Sequence, residues 1–230
     1  MEHILDNPIW NGLLTGNKSI AHGSEKAKYF AKEIAAFAGM KDNNEDDFNC
    51  LYNFTPFNSP IVLFAAKELI IPKDWKVLVK KDLLQMVYQQ RNVPTVDDHS
   101  FVPLQEKDIP AMIELTTKTN PGPFLSRTID FGNYEGVFDK GILVAMAGQR
   151  FQPDPYVEIS AVCTHPDYSG KGHASNLIRS QISKILMSSK IPFLHVLPDN
   201  TSASNLYQKL GFEIRKKMMV YVIEKNYKFI

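Results

Sequence analysis

The second half of the chain follows an order of segments that admits few folds. From Tyr156 to Glu224, strand-like and helix-like patterns alternate as strand, glycine turn, helix, strand, helix and strand. Two further strand patterns precede this series, and Asp139-Lys140-Gly141 between them is typical of a hairpin turn. Antiparallel strands followed by an alternating series predict an α/β (α+β) fold with a mixed sheet.

The first part of the chain is less regular. Helical spacing of apolar residues over Glu25–Met40 predicts a helix, while Ile61–Ala65 and the run that starts at Trp75 predict strands. Residues 92–100 gather a proline and small polar residues, which favours a linker.

Two units are therefore predicted on either side of this linker. Residues 1–95 form a smaller N-terminal α/β lobe, and residues 96–230 form the second domain. The second domain begins with a short strand near Phe101 and a helix near Asp108–Lys118, for which Asp108 is the predicted cap.

Composition narrows the classes of partner. The 230 residues carry a net charge of +1, from 26 basic and 25 acidic residues, so no global field attracts nucleic acid or an anionic membrane. Cys50 and Cys163 stand alone without a CxxC spacing, which argues against a metal site or a disulfide framework. No apolar run approaches the ~20 residues of a membrane span, and no basic leader is evident, so we expect a cytoplasmic protein.

The glycine turn is the clearest candidate site. In Ser169-Gly170-Lys171-Gly172-His173-Ala174-Ser175 the glycines fall where a predicted strand turns into a predicted helix. Free backbone N–H groups and the positive end of a helix dipole meet at such a place, so it is suited to binding phosphate. Glycines also allow positive φ angles and let a ligand approach the backbone closely.

Several interpretations of this turn compete. A dinucleotide-binding turn needs a third glycine, but Ser175 occupies that position. It also needs an acidic residue at the end of the next strand, and that strand ends in Phe193-Leu194-His195. The triphosphate loop GxxxxGK[ST] does not occur. A tight strand-to-helix turn without a ligand is the remaining alternative.

The residues around the turn carry a family resemblance. The segment from His165 to Ala174 resembles the acetyl-CoA signature [QR]xxGx[GA] of the GNAT superfamily of N-acetyltransferases, although Ser169 replaces its first Arg or Gln. A later segment, Asn200 to Phe212, resembles the second element of the same family. The resemblance covers roughly Phe101 to Glu224 and implies a GNAT-like fold, with a mixed, mostly antiparallel twisted sheet flanked by helices. The segments Glu158–Thr164 and Pro192–Val196 further resemble a subgroup with a degenerate GNAT-like N-terminal half, akin to glycine N-acyltransferase-like proteins.

The resemblance implies acetyl-CoA as cofactor and a set of binding residues. The strand through Val162, Cys163 and Thr164 would pair by its backbone with the pantetheine arm. The turn would surround the pyrophosphate, with Lys171 either adding charge or remaining a solvated surface lysine. Asn200 would bind a pantetheine amide, cap its helix, or do both. The implied cofactor-binding residues are Val162, Cys163, Thr164, Ser169, Gly170, Lys171, Gly172, His173, Ala174, Ser175, Asn200, Ala203 and Tyr207.

The resemblance also implies two catalytic residues. Tyr207 has the position of the acid that protonates the leaving thiolate, and the alternative is a packed aromatic residue. Glu158 is the carboxylate placed to deprotonate the amine directly or through water, unless it is solvated or paired for structural reasons. His195 could assist or be a core residue, and Cys163 lacks partners for nucleophilic catalysis. Other residues that could line an acceptor groove are Tyr134, Glu135, Arg150 and Tyr156.

The sequence therefore predicts an N-acetyltransferase that transfers an acetyl group directly in a ternary complex, without a metal. The acceptor is a small-molecule or peptide amine, and the protein is a monomer or a homodimer. One alternative is a CoA-binding sensor or scaffold that has lost the chemistry, suggested by Ser169. A nicotinamide enzyme is a third class.

Overall fold

The computed structural model describes residues 3–56, 58–90, 92–96 and 101–226. The helices of this part of the chain are α1 (Pro8–Leu14), α2 (Glu45–Phe54), α3 (Ile109–Thr119), α4 (His173–Met187) and α5 (Thr201–Lys209). Its strands are β1 (Ala21–Gly23), β2 (Ala27–Phe30), β3 (Ala38–Met40), β4 (Ile61–Ala65), β5 (Trp75–Tyr88), β6 (Val102–Pro103), β7 (Glu135–Asp139), β8 (Ile142–Gln149), β9 (Tyr156–Thr164), β10 (Ile191–Val196) and β11 (Phe212–Lys225).

A large twisted sheet carries the molecule. Its eight strands lie in the order β4-β11-β5-β10-β9-β8-β7-β6, and β1, β2 and β3 form a separate three-stranded sheet. Neighbouring strands of the large sheet are antiparallel, except for β9 and β10, which are parallel. The predicted fold class, a mixed and mostly antiparallel sheet flanked by helices, is confirmed.

The two faces of the large sheet are covered by different parts of the chain. Leu194 of β10 packs with Ile178 and Ile182 of α4, and α5 lies on the same cluster. The preceding residue, Phe193, packs in another cluster with residues of α1 and α3. Because consecutive residues of a strand point to opposite faces, α4 and α5 cover one face, while α1 and α3 cover the other.

The helix predicted over Glu25–Met40 is wrong. The segment forms β2 and β3, which pair antiparallel with each other. Phe30 and Phe37, which suggested one helical face, do share a core, but Ala27 belongs to a different cluster. A turn between the two strands brings both residues to that core. Phe37 also forms a parallel bridge with Val62 of β4. Short apolar runs are compatible with either periodicity, and tertiary pairing decides between them.

Most of the elements predicted after the linker are confirmed. β6, α3 and the β7–β8 hairpin lie where the sequence places them, and Lys140 and Gly141 at the hairpin turn have φ angles of 49° and 81°. The predicted cap is wrong, because Asp108 accepts a hydrogen bond from the N–H of Gln105 rather than capping α3. The predicted strands at Ile61–Ala65 and from Trp75 onward are confirmed as β4 and β5.

Strands from both sides of the predicted boundary share the large sheet. β5 lies between β10 and β11, and β4 pairs with β11 at the sheet edge. The division into units 1–95 and 96–230 stays a prediction. Residues 92–96 of the predicted linker contain no helix or strand, and residues 97–100 lie outside the described residues. Among the described helices, none combines the length and the apolar character that a bilayer crossing requires.

Gly39 tests how tightly α1 packs on the small sheet. A Cβ atom at this position would lie 2.4 Å from the backbone N of Trp10 and 2.6 Å from its Cα. Because no side-chain rotation relieves an overlap with backbone, we expect Gly39→Ala to lower the free energy of unfolding by ~1–3 kcal/mol in urea titrations. Gly12→Ala is the control, since the nearest atom there is a side-chain oxygen of Asn17, and it should cost less. Equal midpoints for wild type and Gly39→Ala would contradict this packing.

Candidate functional site

The parallel strands β9 and β10 separate halfway along β9. Their register ends where Glu158 faces Phe193, although β9 stays paired with β8 as far as Thr164. In the described part of the chain, no strand neighbours the β10-facing edge of residues 159–164. Backbone groups on a free strand edge can pair with an extended ligand.

A bulge in β9 marks the beginning of this free edge. The register with β8 shifts between Met146/Gly148 and Cys163/Ser160, so that Ala161 and Val162 together face a single residue of β8. Ala161 has a φ of 52°, in the left-handed region that alanine rarely adopts. Such strain concentrates at functional sites, where the surrounding structure holds it in place.

The glycine turn follows the free edge directly. Gly170 and Gly172 have φ angles of 78° and 82°, and a Cβ at either position would meet no atom within 4 Å. Gly172 is the N-cap of α4 and makes no side-chain capping bond. The backbone N–H groups from Gly170 to Ser175 donate to no acceptor among the described residues. Orphan amides at the end of a fifteen-residue helix are suited to binding an anion, and these open surroundings leave them accessible.

Two hydroxyl groups, one on β9 and one on α5, lack partners in the described part of the chain. Thr164 Oγ1 at the end of β9 and Ser204 Oγ on α5 are buried oxygens with no hydrogen-bond partner among the described residues. Buried polar atoms are nearly always paired in folded proteins, so each such orphan requires an explanation. A polar ligand that meets these elements would supply one. The donor set therefore fits a ligand with both a phosphate group and an extended polar arm.

Val162 connects the predicted cofactor residues. It packs against the hydrophobic cluster that also receives Ala203 and Tyr207 of α5. It also packs against a second cluster, next to Tyr168 just before the glycine turn. Val162 of the free edge thus shares one cluster with α5 and the other with Tyr168, which precedes the glycine turn. That these residues bind a cofactor stays a prediction.

Asn200 immediately precedes α5, and Tyr207 lies in its last turn. Asn200 Oδ1 accepts a hydrogen bond from the N–H of Ala203 at 3.1 Å, which confirms the predicted cap. Tyr207 is half-buried, its ring centroid lies 6.2 Å from that of Phe212, and its hydroxyl has no partner among the described residues. Burial raises the pKa of Tyr207 to about 12. The phenol therefore keeps its proton at neutral pH and has one to donate.

Glu158 is fully buried and firmly paired. Its carboxylate accepts hydrogen bonds from Arg150 Nε at 2.8 Å and Arg150 Nη2 at 2.6 Å, and His195 Nδ1 lies 2.7 Å from Oε1. Burial by itself raises the pKa of Glu158, but the Arg150 guanidinium and then His195 outweigh it and lower the pKa to about 2. Such a carboxylate is a weak base, and its lone pairs are engaged, so the geometry does not favour direct proton abstraction by Glu158.

The ion pair belongs to a longer buried chain of polar groups. Burial lowers the pKa of His195, so its ring is neutral at pH 7. Nδ1–H then donates to Glu158, and Nε2 accepts from Gln85 Nε2 at 3.0 Å. Gln85 Nε2 also donates to the carbonyl of Leu5. This chain of hydrogen bonds thus links the N-terminal segment to the centre of the large sheet.

Aromatic rings surround the guanidinium of Arg150. Its Cζ lies 4.5 Å from the ring centroid of Phe151, 4.8 Å from that of Phe37 and 5.7 Å from that of Phe64. Tyr134 and Glu135 are also buried, and Glu135 accepts hydrogen bonds from Gln181 and Lys184 of α4. These residues support the fold and do not line an open groove.

Cys163 is buried, and burial raises the pKa of its thiol to about 11. A thiol that remains protonated at neutral pH is a poor nucleophile. This agrees with the expectation that Cys163 contributes backbone rather than sulfur.

Comparison with known proteins agrees with this geometry. The family model described as FR47-like protein matches residues 134–221, which include the free edge, the glycine turn and α5. A solved structure from Novosphingobium aromaticivorans DSM 12444, assigned to the GNAT family of acetyltransferases, is 33% identical in sequence. It covers 98% of this chain and 100% of its own, with a TM-score of 0.90. The chain belongs to the GNAT family.

More distant GNAT structures share the fold alone. A GCN5-related N-acetyltransferase from Kribbella flavida is 11% identical, covers 95% of each chain and gives a TM-score of 0.60. A GNAT-family acetyltransferase from Colwellia psychrerythraea is 10% identical, covers 98% of each chain and gives a TM-score of 0.54. No curated protein matches the chain. That the N-terminal half is itself a degenerate GNAT unit stays a prediction.

Several features of this GNAT site escaped sequence analysis. The bulge at Ala161, the orphan hydroxyl of Ser204 and the pairing of Glu158 with Arg150 carry no local sequence signal. Each depends on residues that the sheet brings together from distant positions. The separation of Glu158 and Arg150 by eight residues fits a hairpin as well as many other arrangements.

The Glu158 ion pair predicts a defined dependence of stability on pH. Since the folded-state pKa is about 2 and the ordinary value is 4.5, its contribution is complete above about pH 4.5 and is lost as the pH falls toward 2. Glu158→Gln leaves the Arg150 guanidinium, whose side chain is only 18% exposed, without a counter-charge, so we expect a loss of ~3–5 kcal/mol in the free energy of unfolding at pH 7. The difference between the two proteins should shrink between pH 4.5 and pH 2.

Urea titrations at several pH values measure this effect. Glu106→Gln is the matched control, because Glu106 also pairs with an arginine, Arg127, but at an exposed position. An exposed pair contributes at most about 1 kcal/mol. Equal costs for the two substitutions would show that Glu158 contributes no more than a surface pair.

Proposed function

We propose that the protein is an N-acetyltransferase that moves the acetyl group of acetyl-CoA to an amine by direct transfer in a ternary complex. The observation that carries the proposal is the free edge of β9 running into a glycine turn, where the N–H groups from Gly170 to Ser175 have no acceptor within the described part of the chain. These two neighbouring features suit a ligand that has an extended arm and a diphosphate at one end. Membership of the GNAT family supports the same reaction class.

The binding residues follow from this arrangement. The backbone of Val162, Cys163 and Thr164 is proposed to pair with the pantetheine arm, while Asn200 and Ala203 approach from α5. Ser169 and the N–H groups that follow it are proposed to hold the diphosphate. Bound acetyl-CoA supplies an activated thioester. Holding this thioester beside the amine provides most of the rate through proximity.

Tyr207 is proposed as the general acid. Its hydroxyl has no protein partner among the described residues, and with a pKa of about 12 it stays protonated at neutral pH. It would donate its proton to the departing sulfur. Backbone N–H groups of the free edge would stabilise negative charge on the carbonyl oxygen.

The amine is proposed to lose its proton to water rather than to Glu158 itself. The carboxylate has no exposed surface and is held by Arg150 and His195, so its part in catalysis would be to polarise neighbouring groups. The acceptor is proposed to be a small-molecule or peptide amine. A cytoplasmic location and a monomeric or homodimeric state remain predictions.

Tyr207→Phe separates catalysis from binding. Loss of the proton donor should lower kcat roughly hundredfold, while CoA affinity stays within about twofold of wild type. Thiol release from acetyl-CoA over a panel of amines measures the rate, and calorimetry measures the affinity. Tyr52→Phe, in the N-terminal lobe, is the control. An unchanged kcat on the best amine would exclude Tyr207 as the acid.

Gly172→Val tests the phosphate site independently of catalysis. The side chain would enter the open space above the orphan amides and would strain a φ of 82°, so CoA affinity should fall at least tenfold. Gly132→Val is the matched control, because Gly132 has a φ of 91° and equally open surroundings outside the turn. Equal CoA affinity in the Gly172 variant and wild type would remove the basis of the proposal.

The paired state of Glu158 also favours a second candidate, a CoA-binding sensor without transfer chemistry. Such a protein would bind CoA and depend on Gly172, yet it would release no thiol with any amine. Turnover that depends on Tyr207 excludes this candidate.

A further inference from the structure

A tyrosine and an aspartate hold the lysine of the glycine turn. The Nζ atom of Lys171 lies 4.3 Å from the ring centroid of Tyr168. The hydroxyl of Tyr168 donates to Asp139 Oδ2 at 2.7 Å. Because Asp139 ends β7, this contact ties the β7–β8 hairpin to the turn between β9 and α4.

Lys171 has few other restraints. It is exposed, it lies between Gly170 and Gly172, and it makes no ion pair with any residue that the structure describes. A lysine side chain has many rotamers, and two flanking glycines add backbone freedom. The Tyr168 ring is therefore the contact that restricts where the ammonium can be.

The chemistry of this contact suits an ammonium group. The electron-rich face of an aromatic ring attracts a cation, and an exposed contact of this kind favours the bound position about two- to fivefold. The hydrogen bond to a carboxylate makes the phenol more electron-rich, so Asp139 strengthens the attraction. The same hydrogen bond raises the pKa of Tyr168.

We propose that Tyr168, supported by Asp139, is a positioning residue that holds the ammonium of Lys171 toward a diphosphate bound at the glycine turn. Lys171 is the only lysine or arginine between Ser169 and Ser175, so it is the permanent positive charge of the turn. The orphan N–H groups lie on both sides of it in the chain. The inference rests on the proposed function, since the diphosphate is that of CoA.

Titration calorimetry with CoA and with dephospho-CoA tests the inference. Lys171→Met should weaken both ligands by the same factor, about tenfold, because both carry the diphosphate. Tyr168→Leu should weaken both about threefold, and Tyr168→Phe less, since the phenyl ring remains. In the Lys171→Met background, Tyr168→Leu should cause no further loss, because Tyr168 acts through the ammonium.

Several results would overturn the inference. One such result is unchanged affinity in Lys171→Met. Another is a loss for CoA alone, which would place the ammonium at the 3′-phosphate. A further loss from Tyr168→Leu in the Lys171→Met background would mean that Tyr168 shapes the turn itself. Tyr52→Leu is the matched control, since Lys225 Nζ lies 5.0 Å from the ring centroid of Tyr52, and it should not change affinity. A wild type that binds neither ligand would refute the proposed function itself.

Discussion

The separation of two parallel strands is the constraint on which the rest of the site depends. While β9 pairs with β10, the two strands occupy each other's edges, and no ligand can enter between them. After Glu158 the strands part, yet β8 continues to hold β9 through a bulge at Ala161. β8 therefore holds the free edge of β9 in place, while the edge that faced β10 is not paired with a strand of the described chain. A ligand that pairs with it costs little ordering of the protein, which is how preorganised sites gain affinity.

A buried group of charged and polar side chains lies at the last position where β9 and β10 pair. At the last paired position, Glu158 points to the face covered by the N-terminal segment, where Arg150 neutralises it within a set of phenylalanine rings. A buried charge is tolerated only when its hydrogen bonds are complete, and here Arg150 and His195 complete them. The two halves of the chain thus meet in one polar core. We interpret this polar core as structural support for the free edge of β9 and not as a source of reactive groups.

Local sequence patterns predicted an element correctly where neighbouring residues in the chain determine its backbone conformation. Glycines at Gly170 and Gly172 permit φ angles that other residues avoid, so the turn could be placed from the sequence alone. The prediction of a helix over Glu25–Met40 was wrong because the segment buries its apolar residues as a strand, a turn and a second strand. That choice depends on pairing with β4, which lies outside the segment.

The sequence by itself determined the order of the elements after the linker, the glycine turn before α4 and the capping of α5 by Asn200, because these depend on neighbouring residues and their torsion angles. Only the tertiary structure decided that β9 leaves β10, that Glu158 is locked by Arg150 and that Tyr168 holds Lys171 with the help of Asp139. Strand register, burial and side-chain pairing arise from residues distant in the chain. Their energies exist only after the sheet has brought those residues together.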